Sequence, residues 1–108
     1  MNSKTVTVQI GNSDDKLTQS QWHHFVTSIT ARINADAHEI HFHACSNGSD
    51  PWQNSAWIFD ISPVNIENLK DFLSRKCRNF NQDSITWTQG ETEFITSDSP
   101  QVSTKGKE

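Results

Sequence analysis

The spacing of apolar residues switches between two periods along this chain, and this restricts the fold more than any other feature. Residues 4–11 alternate apolar and polar side chains, which predicts a half-buried strand. From Trp22 to Ile33 the apolar side chains instead lie three and four residues apart, which predicts an amphipathic helix. Continued along the chain, the two periods predict strands over residues 4–11, 39–45, 55–61 and 84–88. They predict one helix that follows Thr18 and ends near residues 34–36, and a second from residue 63 to about 79.

Local signals mark the ends of these elements. Thr18 and Gln21 have the spacing of a capping box at the start of the first helix. Ser62 followed by Pro63 supplies a cap and a favoured first-turn residue for the second helix. Residues 46–51 are rich in turn formers, so the second and third strands are predicted to form a hairpin.

The order strand, helix, strand, strand, helix, strand is that of a ferredoxin-like split βαβ sandwich. We therefore expect one α+β domain over residues 1–95, with a four-stranded antiparallel sheet of order 4-1-3-2 and both helices on one face. Residues 96–108 are polar and are predicted to form a disordered tail. In the second strand, strict alternation directs Ile40, Phe42 and Ala44 towards the helices, and His41, His43 and Cys45 towards the open face.

Composition argues against several classes of partner. The 108 residues include 9 Lys and Arg against 13 Asp and Glu, a poor balance for neutralising nucleic-acid phosphates. No apolar run approaches the roughly 18 residues of a membrane span, and the N-terminus lacks a secretory signal. We expect a cytoplasmic protein without a nucleic-acid or membrane partner. Cys45 and Cys77 are then expected to be reduced, buried thiols with a structural role.

Three connections of this fold leave the sheet at the same edge, and all three are rich in polar side chains. They are the segments that join the first strand to the first helix, the second strand to the third, and the second helix to the fourth strand. Loops carried on a rigid sheet are common binding sites. The predicted site for a small polar ligand or a protein partner consists of Asn12, Asp14, Asp15, Lys16, Trp52, Gln53, Asn54, Gln82 and Asp83.

The same residue types also have a structural interpretation. Asn, Asp and Ser at turns cap helices and satisfy their own backbone, and an aspartate favours a helix N-terminus. Trp52 favours binding, because an indole in a turn is costly to expose unless it packs down or meets a partner.

Other chemistries have weaker sequence support. His41 and His43, close to Cys45, are weak candidates for metal ligands or for a nucleophile with its base, and no cofactor is predicted. Asp14, Asp15 and Asp83 suggest a metal-assisted hydrolase as an alternative. Small acidic domains also suit a third role, that of a protein inhibitor or immunity factor. Binding is favoured over catalysis, because the sequence has no phosphate loop or nucleophile elbow.

The open face of the sheet is predicted to be polar but poor in charge, which favours a homodimer through this face or through an edge strand. Its predicted members are Thr5, Thr7, Gln9, His41, His43, Ile58, Asp60, Thr86 and Thr88.

Several segments resemble a group of short, uncharacterised bacterial single-domain proteins. The resemblance rests on IGNSDDKLTQ at residues 10–19, PWQNSAW at 51–57, QDSITW at 82–87 and TEFI at 92–95. It covers residues 5–95 and implies a stand-alone protein. It implies no activity and leaves the histidines outside the shared pattern.

Overall fold

A four-stranded sheet covered by two helices forms the computed structural model, which describes residues 3–46, 53–90 and 95–97. The elements are β1 (Lys4–Gly11), a 3-10 turn (Ser13–Asp15), α1 (Gln19–Asp36), β2 (Glu39–Cys45), β3 (Asn54–Ile61), α2 (Pro63–Asn79) and β4 (Thr86–Gly90). The strand order is β2-β3-β1-β4, and every neighbouring pair is antiparallel. The predicted ferredoxin-like α+β fold and its strand order are confirmed.

The capping box at the start of α1 is also confirmed. The backbone N–H of Gln21 donates to Thr18 Oγ1 at 3.2 Å, and the backbone N–H of Thr18 donates to Gln21 Oε1 at 2.9 Å. Two of the N–H groups that a helix start leaves without an intrahelical partner are thereby satisfied. α2 begins at Pro63, whose ring is compatible with the first helical position.

The core lies between the helices and one face of the sheet. β1 and β3 bury alternate side chains, while α1 and α2 bury one stripe each. Each fully buried large apolar side chain contributes about 1.5–3 kcal/mol through its removal from water. The most completely buried side chains are Trp57, Phe25, Phe59, Ile29, Ile33, Ile61, Leu69, Val6 and Val8.

The strict alternation predicted for β2 is wrong beyond Ile40, because the strand contains a β-bulge. Ile40 lies opposite Phe59, but Phe42 lies opposite Ile58, so His41 is an extra residue in the ladder. A one-residue shift reverses every later side chain. His43 therefore lies opposite Trp57, on the helix side, and Phe42 is 49% exposed.

Two other expectations also require correction. Cys45 is exposed rather than buried, because the bulged edge strand lies beyond the cover of the helices. β4 spans Thr86–Gly90 rather than residues 84–88. The pairing of β4 with β1 runs from Thr86, opposite Gln9, to Gly90, opposite Thr5.

The polar character of the open face agrees with the prediction at most positions. Thr7 and Gln9 lie opposite Ile58 and Ala56, with alternate β1 residues buried on the other side. His43 is the exception, because the bulge at His41 places it on the helix side of the sheet. Within residues 3–46, 53–90 and 95–97, no helix has the length and apolar content needed to cross a membrane. Trp52, residues 91–94 and residues 98–108 of the predicted tail lie outside the described residues.

Candidate functional site

Three connections meet at one edge of the sheet, as the topology predicts. The backbone N–H of Asn12, at the end of β1, donates to the carbonyl oxygen of Gln53 at 3.0 Å. The backbone N–H of Ser13 donates to Gln82 Oε1 at 2.7 Å. The segments that follow β1, precede β3 and precede β4 are thus joined directly.

The amide side chains at this edge are buried and bonded to one another. Asn12 is 4% exposed, and its Nδ2 donates both to the carbonyl oxygen of Leu17 and to Gln53 Oε1, each at 3.0 Å. Its Oδ1 accepts from the backbone N–H of Leu17 at 2.9 Å. Gln53 donates in turn to Gln19 Oε1 at 3.0 Å, and Gln82 to the carbonyl oxygen of Phe80 at 2.9 Å. These amides therefore connect the loops.

The charged residues of the predicted site lie at the exposed rim. Asp14 and Asp15 both have left-handed backbones, with φ of 53° and 58°. Lys16 Nζ lies 3.3 Å from Asp83 Oδ1, in an ion pair whose carboxylate is largely exposed. In the described part of the chain, Asp14, Asp15 and Asp83 do not form a cluster with metal-ligand spacing.

Two of the depressions among the described residues are lined in part by the buried amides of this edge. The smaller one, about 200 Å³, is lined by Gly11, Asn12, Ser13, Asp14, Gln53 and Asn54. The larger one, about 520 Å³, is a groove between α2 and β4, and it shares Gln82 with the predicted site. We call it the α2–β4 groove. Its lining residues are Lys70, Leu73, Ser74, Cys77, Arg78, Gln82, Ile85 and Trp87. The volume is within the range of small-molecule sites.

The α2–β4 groove has a positively charged helical wall and an aromatic wall from β4. Lys70, Ser74 and Arg78 lie four residues apart, so they form one ridge of α2. On the opposite wall, the Trp87 ring has Lys70 Nζ 5.2 Å from its centroid. Among the residues that the structure describes, those that line the groove include no acidic side chain.

Cys77 lies in the floor of this groove. Its Sγ donates to the carbonyl oxygen of Gln82 at 3.2 Å. Burial raises the pKa of the Cys77 thiol, and the negative charge of Asp83 adds to this. The thiol is therefore a neutral lining group at neutral pH rather than an activated nucleophile.

Of the residues that line the groove, Gln82 belongs to the site predicted from the sequence, and the others do not. The available signal was the spacing of Lys70, Ser74 and Arg78 by four along an amphipathic helix. That spacing places the three side chains on one face of α2. Which strand lies beside this face depends on the position of β4 in the sheet.

The bulge separates the two histidines proposed as weak metal candidates. His43 stacks on Trp57, with ring centroids 4.7 Å apart and planes 8° apart. Its Nε2 lies 3.1 Å from Ser55 Oγ and 3.8 Å from Cys45 Sγ. Burial lowers the pKa of His43. His41 instead lies 3.0 Å from Asp60 on the open face.

No protein-family model matches this chain, and no curated protein matches it in sequence. The resemblance to short bacterial proteins therefore stays a prediction. Among solved structures, the chain is similar to the de novo designed protein Foldit4, with a TM-score of 0.62 and 7% identity over 85% of this chain and 100% of that one. It is also similar to a dimeric ferredoxin-like protein of unknown function from Thermobifida fusca, with a TM-score of 0.48 and 12% identity over 84% and 92% of the two chains. These likenesses concern the fold alone.

Proposed function

We propose that this protein binds a small organic anion, a carboxylate or a phosphate, in the α2–β4 groove. The observation that carries the proposal is the pairing of two cations, Lys70 and Arg78, in one groove whose lining residues between 70 and 87 include no acidic side chain. The chain as a whole has a net charge of −4, so this local excess of positive charge runs against its composition. The proposal moves the predicted ligand site from the loop edge into the groove beside it.

The geometry suits an anion held between the two cations. Arg78 follows Lys70 by eight positions of helix, about 12 Å along the axis, a distance that two long side chains can close around one ligand. Ser74 lies midway and offers a hydroxyl donor, and Gln82 lies at the end of the groove nearest the loops. Ile85 and Trp87 offer apolar contact to the rest of the ligand.

Calorimetric titration with matched probes tests this proposal. We expect AMP to bind more tightly than adenosine, and benzoate more tightly than benzamide, because only the anions meet both cations. Arg78→Gln is expected to weaken AMP binding about tenfold, as the loss of one charge-assisted contact does.

Arg75→Gln is the matched control. Arg75 lies on the same helix but pairs with Asp71 at 2.6 Å and does not line the groove. Equal losses in the two variants would indicate diffuse attraction and contradict the proposal. If no anion binds, the alternative of a protein inhibitor acting on a macromolecular partner gains support.

We also propose that two copies of the chain associate through the open face of the sheet. Phe42 is 49% exposed there because of the bulge, and it lies opposite Ile58. Thr7 and Gln9 are uncharged, so burying the half of the face around Phe42, Thr7 and Gln9 costs little desolvation of charge. Glu39 and Asp60 lie outside that half, where the two strands pair before the bulge.

Light scattering after size exclusion measures this association directly. Phe42→Ser is expected to convert a dimer into a monomer, whereas Val64→Ser, at a 78% exposed position on α2, leaves the mass unchanged. A wild-type monomer at high concentration would contradict the proposal.

A further inference from the structure

Three side chains with metal-ligand chemistry converge on the open face, away from the α2–β4 groove. Glu39 and Asp60 lie directly opposite each other on β2 and β3, and His41 follows Glu39 by two residues. Each offers one ligand atom, and these atoms all lie within 4.8 Å of one another. We propose that Glu39, His41 and Asp60 bind a divalent transition-metal ion such as Zn²⁺.

The distances are close to those that a metal requires. A tetrahedral ion about 2.0–2.2 Å from each ligand holds neighbouring ligand atoms about 3.3–3.6 Å apart. His41 Nε2 and Asp60 Oδ2 are already 3.0 Å apart. The Glu39 ligand atom lies within 4.8 Å of both of these atoms, and pairing with Asp60 holds the Glu39 backbone in place.

The charges also suit a cation. With a neutral imidazole, the two carboxylates place two negative charges beside one nitrogen donor, and a divalent ion neutralises both. One imidazole and two carboxylates form a mixed nitrogen and oxygen set, which favours zinc or its neighbours over Ca²⁺, an ion that prefers oxygen alone.

A second residue orients the central carboxylate. Thr5 Oγ1 donates to Asp60 Oδ1 at 2.8 Å, which leaves Oδ2 directed at His41. Such outer contacts fix the ligands of metal sites and raise their affinity.

The bulge is what makes this arrangement accessible. His41 is the extra residue of β2, and its ring is 42% exposed beside an Asp60 that is 24% exposed. Three protein ligands leave at least one position for water, as in zinc sites that remain open to solvent. The site is independent of the anion proposal, since the two share no residue.

Titration of the untagged full chain with ZnCl₂ tests the site. We expect one ion per chain in calorimetry. His41→Gln and Asp60→Asn are expected to abolish this binding, and Thr5→Val to weaken it about tenfold. Amide NMR spectra verify that each variant is folded. Titration with MnCl₂ is expected to broaden the amide signals of Glu39, His41 and Asp60 first.

The double variant His23→Ala, His24→Ala is the control, because these adjacent imidazoles on α1 lie outside the cluster and offer the obvious adventitious site. Zinc binding that is lost in the control, or that persists at full strength in His41→Gln and Asp60→Asn, would overturn the proposal. Absence of binding to the wild-type chain would do so as well, and would identify the cluster as an ion pair between strands.

Discussion

The side-chain amide of Asn12 lies 3.0 Å from the carboxamide oxygen of Gln53, 41 residues later in the chain, and both groups are buried. This contact joins the end of β1 to the start of β3. The same amide bonds to Leu17, so one small side chain supports two connections.

We expect Asn12→Ala to destabilise the fold by about 2–4 kcal/mol, because it leaves buried partners at Leu17 and Gln53 unsatisfied. Urea unfolding measures the change. Asp15→Asn, three residues away at the exposed rim, is expected to change stability by less than about 0.5 kcal/mol. Similar effects of the two substitutions would contradict the buried network.

The bulge in β2 predicts unequal costs for two phenylalanines of the β2–β3 hairpin. Phe59→Ala is expected to cost about 3–5 kcal/mol, because Phe59 is fully buried. Phe42→Ala is expected to cost less than about 1 kcal/mol in the monomer, because half of its surface is already in water. Thermal unfolding at low protein concentration compares them, and a large loss for Phe42→Ala would place that side chain in the core.

Burial against Trp57 lowers the pKa of His43 below its ordinary value of 6.5. The unfolded chain therefore takes up this proton more readily than the folded chain as the pH falls through 6.5. The free energy of unfolding should decrease in that window, down to the pKa of the folded state.

His43→Phe keeps a ring on Trp57 but removes the titrating group. We expect unfolding in urea at about pH 7.5 and about pH 5.5 to show a smaller acid-side loss in this variant than in the wild type. The other histidines are common to both proteins, so they cancel in the comparison. Equal losses would show that His43 titrates normally.

The two cysteines are expected to differ in reactivity. Cys45 is exposed, whereas Cys77 is partly buried and burial raises its pKa. Iodoacetamide at neutral pH should modify Cys45 at least about tenfold faster, since the thiolate is the reacting form. Mass spectrometry follows labelling of the Cys45→Ser and Cys77→Ser variants, and each variant gives the rate of the one cysteine that it retains. Faster labelling at Cys77 would contradict the partial burial and the raised pKa of its thiol.

The lowered pKa of Asp60 predicts a separate loss of stability at acid pH. Its folded-state pKa is lowered, first by the Thr5 hydrogen bond, so its contribution to stability is complete above the ordinary value of 3.8 and is lost as the pH falls through the folded-state pKa. Thr5→Val should raise the Asp60 pKa, and carbon-detected NMR titration of that carboxyl measures it. An unchanged titration would remove Thr5 as the cause.

Much of the fold followed from local pattern. The periods of residues 4–11 and of α1, together with the Thr18 capping box, predict elements whose boundaries the structure reproduces. Strand order also followed, because crossover handedness leaves few ways to arrange these elements. β2 and β4 were the exceptions. The alternation of β2 conceals a bulge, which exists only through pairing with β3, and β4 begins two residues later than its pattern predicts.

The sequence by itself determined the kinds of element, their order and the edge at which Asn12, Gln53 and Gln82 meet, because periodicity, caps and chain connectivity are local or topological properties. Only the tertiary structure decided that these amides bond to one another and that Lys70 and Arg78 line a groove with Trp87. It also decided that His41 lies beside Asp60, whereas His43 stacks on Trp57. Each of these depends on a distance between residues far apart in the chain. A one-residue change in register alters such distances without altering the pattern that the sequence presents.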